Sequence, residues 1–177
     1  MSWGEEQQKE IKTIRERSIT VKLSDADCDR LARKCGEYGL TIGALIENFI
    51  GDLVGGTYSN GSDERDLADQ WFERCWFGMF PEKTLLHHLL GWGYDPEDYL
   101  EYLDNIEAAK EEKKYLEEHP EEADGEDTSY LDDDIAYWQD ELRDMRGDWN
   151  PDGEPNMDEE LERIKKWVKE KEDFINE

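Results

Sequence analysis

The sequence predicts a mainly α protein: one short strand and two helices at the N-terminus, then an acidic helical domain with long antiparallel helices. Three observations predict it. The stretch Ser18-Ile19-Thr20-Val21-Lys22-Leu23 alternates polar and apolar and is rich in β-branched residues, the pattern of a strand with one buried face. Elsewhere apolar residues recur every three or four positions, as on a helix that buries one side. The charge is also divided unevenly. Residues 1–57 carry eight Lys/Arg and ten Asp/Glu, whereas 58–177 carry 13 and 38. This asymmetry separates a near-neutral module, 1–57, from an acidic, aromatic-rich domain, 58–177.

The bulk composition is ambiguous until the aromatics are counted. Only 36% of the 177 residues are hydrophobic, 39% are charged, and the net charge is −27. Long tracts of that kind are commonly disordered. Seven Trp, eight Tyr and five Phe argue instead for a folded protein with a very acidic surface. Cys28, Cys35 and Cys75 form no CxxC pair, and Cys28 and Cys35 lie seven apart on one helix, too far to bridge. They are expected to be small buried apolar residues in a reducing cytosol. No segment supplies the ~18 consecutive apolar residues of a membrane span. The N-terminal stretch has no apolar signal region, so the expected location is cytoplasmic.

In the strand, Ile19, Val21 and Leu23 are expected to point inward and Ser18, Thr20 and Lys22 outward. Ser24 reads as a helix N-cap, with Asp25 and Asp27 in the first turn, where they favour the helix dipole. This helix runs to about Tyr38 with Cys28, Leu31, Ala32 and Cys35 on its apolar face, and Gly39 stops it. Thr41 caps a second helix, where Ile42, Leu45, Ile46, Phe49, Ile50 and Leu53 form a broad apolar stripe before Gly55-Gly56. One strand and two helices cannot bury that much apolar surface alone, and a lone strand leaves its backbone unpaired. A homodimer, with two strands paired over four helices, removes both difficulties.

This order, over residues 17–54, resembles the Arc/MetJ-type ribbon-helix-helix family. The resemblance implies that the outward residues of the paired strands enter the DNA major groove and that the start of the second helix holds a phosphate. The matching DNA-binding positions are Ser18, Thr20, Lys22 and Thr41, with Ile42 and Gly43 beside the last. Lys9, Lys12, Arg15 and Arg17 would form a basic arm ahead of the strand. Against DNA binding stands the charge: the module is near neutral, the rest of the chain is strongly acidic, and phosphate contact drives nucleic-acid affinity. A module used only to dimerise is the competing reading.

In the acidic domain, Thr57 to Gly61 reads as a turn-rich linker and Ser62 as the cap of a helix through about Phe77. Pro81 is expected to open a short helix carrying Leu85, Leu86, Leu89 and Leu90. The aromatic residues Trp71, Phe72, Trp76 and Phe77 and these leucines are expected to form a second core packed on the first. Asp95-Pro96 is a strong helix start, and that helix runs to about Glu118. Leu131, Ile135, Trp138, Leu142 and Met145 mark the next helix, and Met157, Leu161, Ile164, Val168 and Ile175 the last.

Two acidic clusters are candidates for a partner-binding surface. One comprises Glu121, Glu122, Asp124, Glu126 and Asp127, with Glu117 and Glu118 before it. The other is Asp132, Asp133, Asp134, Asp140, Glu141 and Asp144. They form either a solvated face that maintains solubility or carboxylates that imitate nucleic-acid phosphates. Residues 148–159 also fit a calcium-binding EF-hand loop, with Asp148, Asn150, Asp152, Glu154, Asn156 and Glu159 as the ligand positions and Gly153 at the sharp turn. Pro155 lacks the N–H that would pair with a second loop, and the chain has no second loop.

No nucleophile elbow, phosphate-binding loop or dinucleotide fingerprint occurs, and His87 and His88 are adjacent, pointing apart on a helix. The expectation is a non-enzymatic protein. Its small size, acidity and repressor-like module resemble accessory proteins of phages and mobile genetic elements, of the anti-CRISPR kind. That resemblance implies an inhibitor acting through a DNA-mimicking surface on a basic nucleic-acid channel, with a Cas9-type nuclease as candidate target. The alternative is a transcriptional repressor or antitoxin that binds operator DNA through Thr20 and Lys22.

Overall fold

The computed structural model describes residues 3–119 and 128–177. All regular structure among them is helical. The chain divides into two compact units, Met1–Pro81 and Glu82–Asn176.

The first unit holds α1 (Trp3–Thr13), α2 (Asp25–Glu37), α3 (Ile42–Leu53), α4 (Ser62–Arg74) and α5 (Trp76–Met79). Lys9 and Lys12 of the expected basic arm therefore lie on a helix. Residues 18–23 form no strand. The physical reason is the one that made a lone strand unsatisfactory: its N–H and C=O groups need a neighbouring strand, and the single chain offers none. Ile19, Val21 and Leu23 stand 56%, 66% and 51% exposed, so the face expected to be buried is open.

The helix ends follow the sequence closely. Ser24 caps α2, its hydroxyl accepting from Asp27 N at 3.1 Å, and Thr41 caps α3, accepting from Ala44 N at 3.0 Å. Gly39 after α2 has φ +69°, a left-handed conformation that costs glycine little. Farther on the expectation needs correction. Gly61, not Ser62, sits at the cap position of α4, and Cys75 turns to an extended ψ of 150° that separates α4 from α5. α5 then packs back so closely that a Cβ at Gly78 would collide with the Phe72 carbonyl oxygen.

α4 packs on α3 through its aromatics, with the Trp71 ring edge-on to Phe49 at 5.3 Å. Even so, among the described residues of this unit Cys35 and Ala68 are the buried hydrophobic ones. Of the three free cysteines, Cys35 alone is buried; Cys28 is exposed and Cys75 intermediate, contrary to the expected burial of all three.

The second unit holds α6 (Leu85–Trp92), α7 (Pro96–Glu118), α8 (Ser129–Met145) and α9 (Met157–Asn176). Thr84, rather than Pro81, starts α6, its hydroxyl accepting from His87 N at 3.1 Å. Asp95 caps α7, with Pro96 in the first turn. α7 and α8 are antiparallel: Lys113 and Glu112 meet Asp132 and Tyr130 at one end, while Tyr99 clusters with Leu142 and Met145 at the other. The core comprises Leu85, Leu89, Tyr99, Ile106, Leu142, Met145 and Ile164, with Ile135, Trp138, Leu161 and Val168 packed around it. Leu85, Leu86 and Leu89 of α6 thus belong to this core while Leu90 stays exposed, and α4 and α5 lie with the N-terminal unit. Glu160 of α9 accepts from Leu85 N at 2.6 Å, satisfying one of the amides that a helix start leaves unpaired. Lys171 of α9 reaches Glu97 of α7 at 2.6 Å.

Candidate functional sites

Ser18, Thr20 and Lys22 are all exposed, as DNA contact would require. So are the alternate apolar residues, which means the extended segment of a single chain presents both of its sides to solvent. Thr41 is also exposed, but its hydroxyl oxygen already accepts the Ala44 amide, leaving the first-turn N–H groups of Ile42 and Gly43 for any anion.

On α8, Asp132 is paired with Lys113, whose pKa is raised chiefly by the hydrogen bond to that carboxylate. Arg143 pairs with Asp140 at 2.8 Å and lies 3.9 Å from Asp144. Asp133 and Asp134 are exposed and have no ion pair among the described residues. Glu141 is half-buried, on the side facing α7, where the Tyr102 hydroxyl stays protonated to higher pH than usual, first through its own desolvation and then through the nearby Tyr137 and Glu141. It therefore contributes less to the outer surface than its neighbours. Glu121, Glu122, Asp124, Glu126 and Asp127 lie outside the described residues.

The loop between α8 and α9 uses several of its expected metal ligands otherwise. Asp152 forms an ion pair with Lys83 at 2.6 Å. The Asn156 side-chain oxygen accepts from Asp158 N at 3.2 Å, starting α9, while its amide donates to Glu159 at 2.9 Å. Gly153, at φ +101°, makes the turn. Among the described residues no group of three or more His, Cys, Asp or Glu side chains is placed to hold a metal ion. Asp148, Asn150 and Glu154 are exposed.

A feature that sequence reasoning missed lies beside this loop. A cleft of about 210 Å³ is lined by Lys83, Thr84, His87, His88, Gly91, Trp92, Trp149 and Asn150. Its walls are fixed from behind. The Trp149 indole N–H donates to the Lys83 carbonyl at 3.0 Å, and buried His88 bonds through Nε2 to the Met145 carbonyl at 3.0 Å. Trp92 lies tilted against His88, with centroids 6.1 Å apart, and remains 62% exposed. Trp92 and Trp149 are 57 positions apart and on no common period, so nothing local in the sequence paired them. The one available hint was an indole in an otherwise polar loop.

No protein family, curated protein or solved structure matches the chain. No helix among the described residues is long and apolar enough to cross a membrane.

Proposed function

We propose that the chain acts as a homodimer, joined through a ribbon-helix-helix arrangement of residues 17–54, that presents acidic helical domains to the basic nucleic-acid channel of a partner protein. In this reading it is a non-enzymatic inhibitor of the anti-CRISPR kind, and a Cas9-type nuclease is the candidate target. The observation that carries the dimer is the open apolar surface of the first unit. Ile19, Val21, Leu23, Ile42, Ile46, Phe49 and Ile50 are each 39–66% exposed, more than a stable solitary module leaves in contact with water. Pairing two copies of residues 18–23 supplies the missing backbone partners and covers the alternate side chains together.

The acidic half of the reading rests on charge. Residues 82–177 carry 11 Lys/Arg and 33 Asp/Glu, a net of −22. A field of that size steers basic surfaces toward the domain and repels nucleic acid. The test is to add the protein to a guide-loaded nuclease before target DNA. Cleavage should fall with increasing protein, and the effect should weaken when Asp133 and Asp134 are both changed to Asn. Unchanged cleavage at large excess retires the reading for that nuclease.

Operator binding is a second reading, favoured by the exposure of Ser18, Thr20 and Lys22 at alternate positions. A gel shift on the protein's own promoter tests it. Thr20→Ala with Lys22→Ala should abolish any specific band.

A further inference from the structure

The Trp92–Trp149 cleft has a chemistry of its own. At about 210 Å³ it is smaller than the usual 300–1,000 Å³ of sites for drug-sized ligands or cofactors, so one side chain is a better match in size. Two indole rings supply π faces. Lys83 is the one Lys or Arg in the lining, and Asp152 neutralises it at 2.6 Å. The loop carrying Trp149 adds Asp148 and Glu154, both exposed, within a domain of net charge −22. An anionic occupant is therefore disfavoured. The same domain already holds a cation over an indole, with Lys171 Nζ 5.2 Å from the Trp167 ring centre. A planar guanidinium stacks on such a ring better than an ammonium does and is less strongly hydrated.

We propose that this cleft receives an arginine side chain of a basic protein partner, stacked against Trp92 and Trp149 and drawn there by the net negative charge of the domain. The inference rests on the acidic domain being a binder of basic protein surfaces, and it names where one specific contact is made.

Two substitutions test it without disturbing the core. Trp92 is largely exposed, so Trp92→Ala removes a wall of the cleft and its ring contact with His88 but no residue of the buried core. Gly91 lines the cleft, and a side chain added there meets nothing within 4 Å, so Gly91→Leu adds bulk to the cleft without a backbone clash. The probes are labelled glycine-spaced peptides carrying two arginines, two lysines, two citrullines or two phenylalanines, followed by fluorescence anisotropy at physiological salt with the full chain. The arginine peptide should bind about tenfold tighter than the lysine peptide. Both variants should reduce it to the lysine level, while circular dichroism shows their helices intact. Equal binding of the arginine and lysine peptides, unchanged in both variants, overturns the cleft and leaves the acidic-surface reading standing. Tighter binding of the phenylalanine peptide overturns the guanidinium assignment. Failure of every basic peptide to bind overturns the cleft and the acidic-surface reading together.

Discussion

Replacing Val21 with Ser gives the sharpest test of dimerisation. In the single chain the Val21 side chain is 66% exposed, so about two-thirds of its burial free energy remains to be gained. Complete burial of such a side chain contributes about 1.5–3 kcal/mol, which leaves roughly 1–2 kcal/mol per copy. A twofold-symmetric dimer counts the substitution twice, for a loss of roughly 2–4 kcal/mol. With tenfold per 1.4 kcal/mol, the dimer dissociation constant should rise about 30- to 700-fold. Sedimentation velocity over a concentration series reads this directly. Thr20→Ala, one position away on the other side of the extended segment, should leave the constant within a few-fold of the native value. Equal weakening of the dimer by both substitutions would show that the two sides of the segment are not buried differently. A native chain that stays monomeric at high micromolar concentration removes the dimer altogether.

Other consequences follow from the second unit, the α2 cap and the loop after α8. Leu89 is fully buried in the core of the second unit, so Leu89→Ala should cost about 2–5 kcal/mol and lower that unit's melting temperature by about 8 °C or more. A melt shifted by less than the error of calorimetry would show that α6 does not anchor this core. The Asp27 carboxyl is held below its ordinary pKa of 3.8, first because the Ser24 hydroxyl donates to it at 2.7 Å and then because Arg30 lies 2.9 Å away. A lowered folded-state pKa stabilises the native state fully above the ordinary value, and the effect disappears as pH falls through the lower folded value. Hydrogen exchange in the first turn of α2 should therefore accelerate below about pH 3.8 in the native chain, and an Asp27→Asn variant should lack that step. Calcium titration should give no heat above dilution at micromolar concentrations, because Asp152 is engaged by Lys83 and Asn156 starts α9. Substantial heat that Asp148→Ala abolishes would show that the loop rearranges to bind the ion.

Much of the molecule was legible from local chemistry. Ser24, Thr41 and Asp95 cap the helices expected of them, because capping is a contact between a side chain and amides two or three residues on. The stripes of α8 and α9 pointed to Leu131, Leu142, Met145 and Ile164, which are buried. Where the expectation slipped, a nearby competitor prevailed. Thr84 starts α6 in place of Pro81 because its hydroxyl bonds the His87 amide, which a proline ring cannot do. Cys75 breaks the helix expected to run to Phe77, and the tight return of α5 against Phe72 is accommodated by the glycine at 78.

The sequence alone therefore determined the helical class, the positions of most caps and the concentration of negative charge after residue 57. Each depends on neighbours within a few positions or on simple summation. Tertiary structure decided which helices share a core, drawing α6 in with α7, α8 and α9 and leaving α4 against α3. It also brought Trp92 and Trp149 to one cleft and assigned Asp152 to Lys83. Those pairings join residues more than fifty positions apart, where no local period constrains which side chains meet. Residues 18–23 lie between the two cases. Their alternation is written in the sequence, but a strand's hydrogen bonds belong to its neighbour, and a single chain leaves Ile19, Val21 and Leu23 exposed.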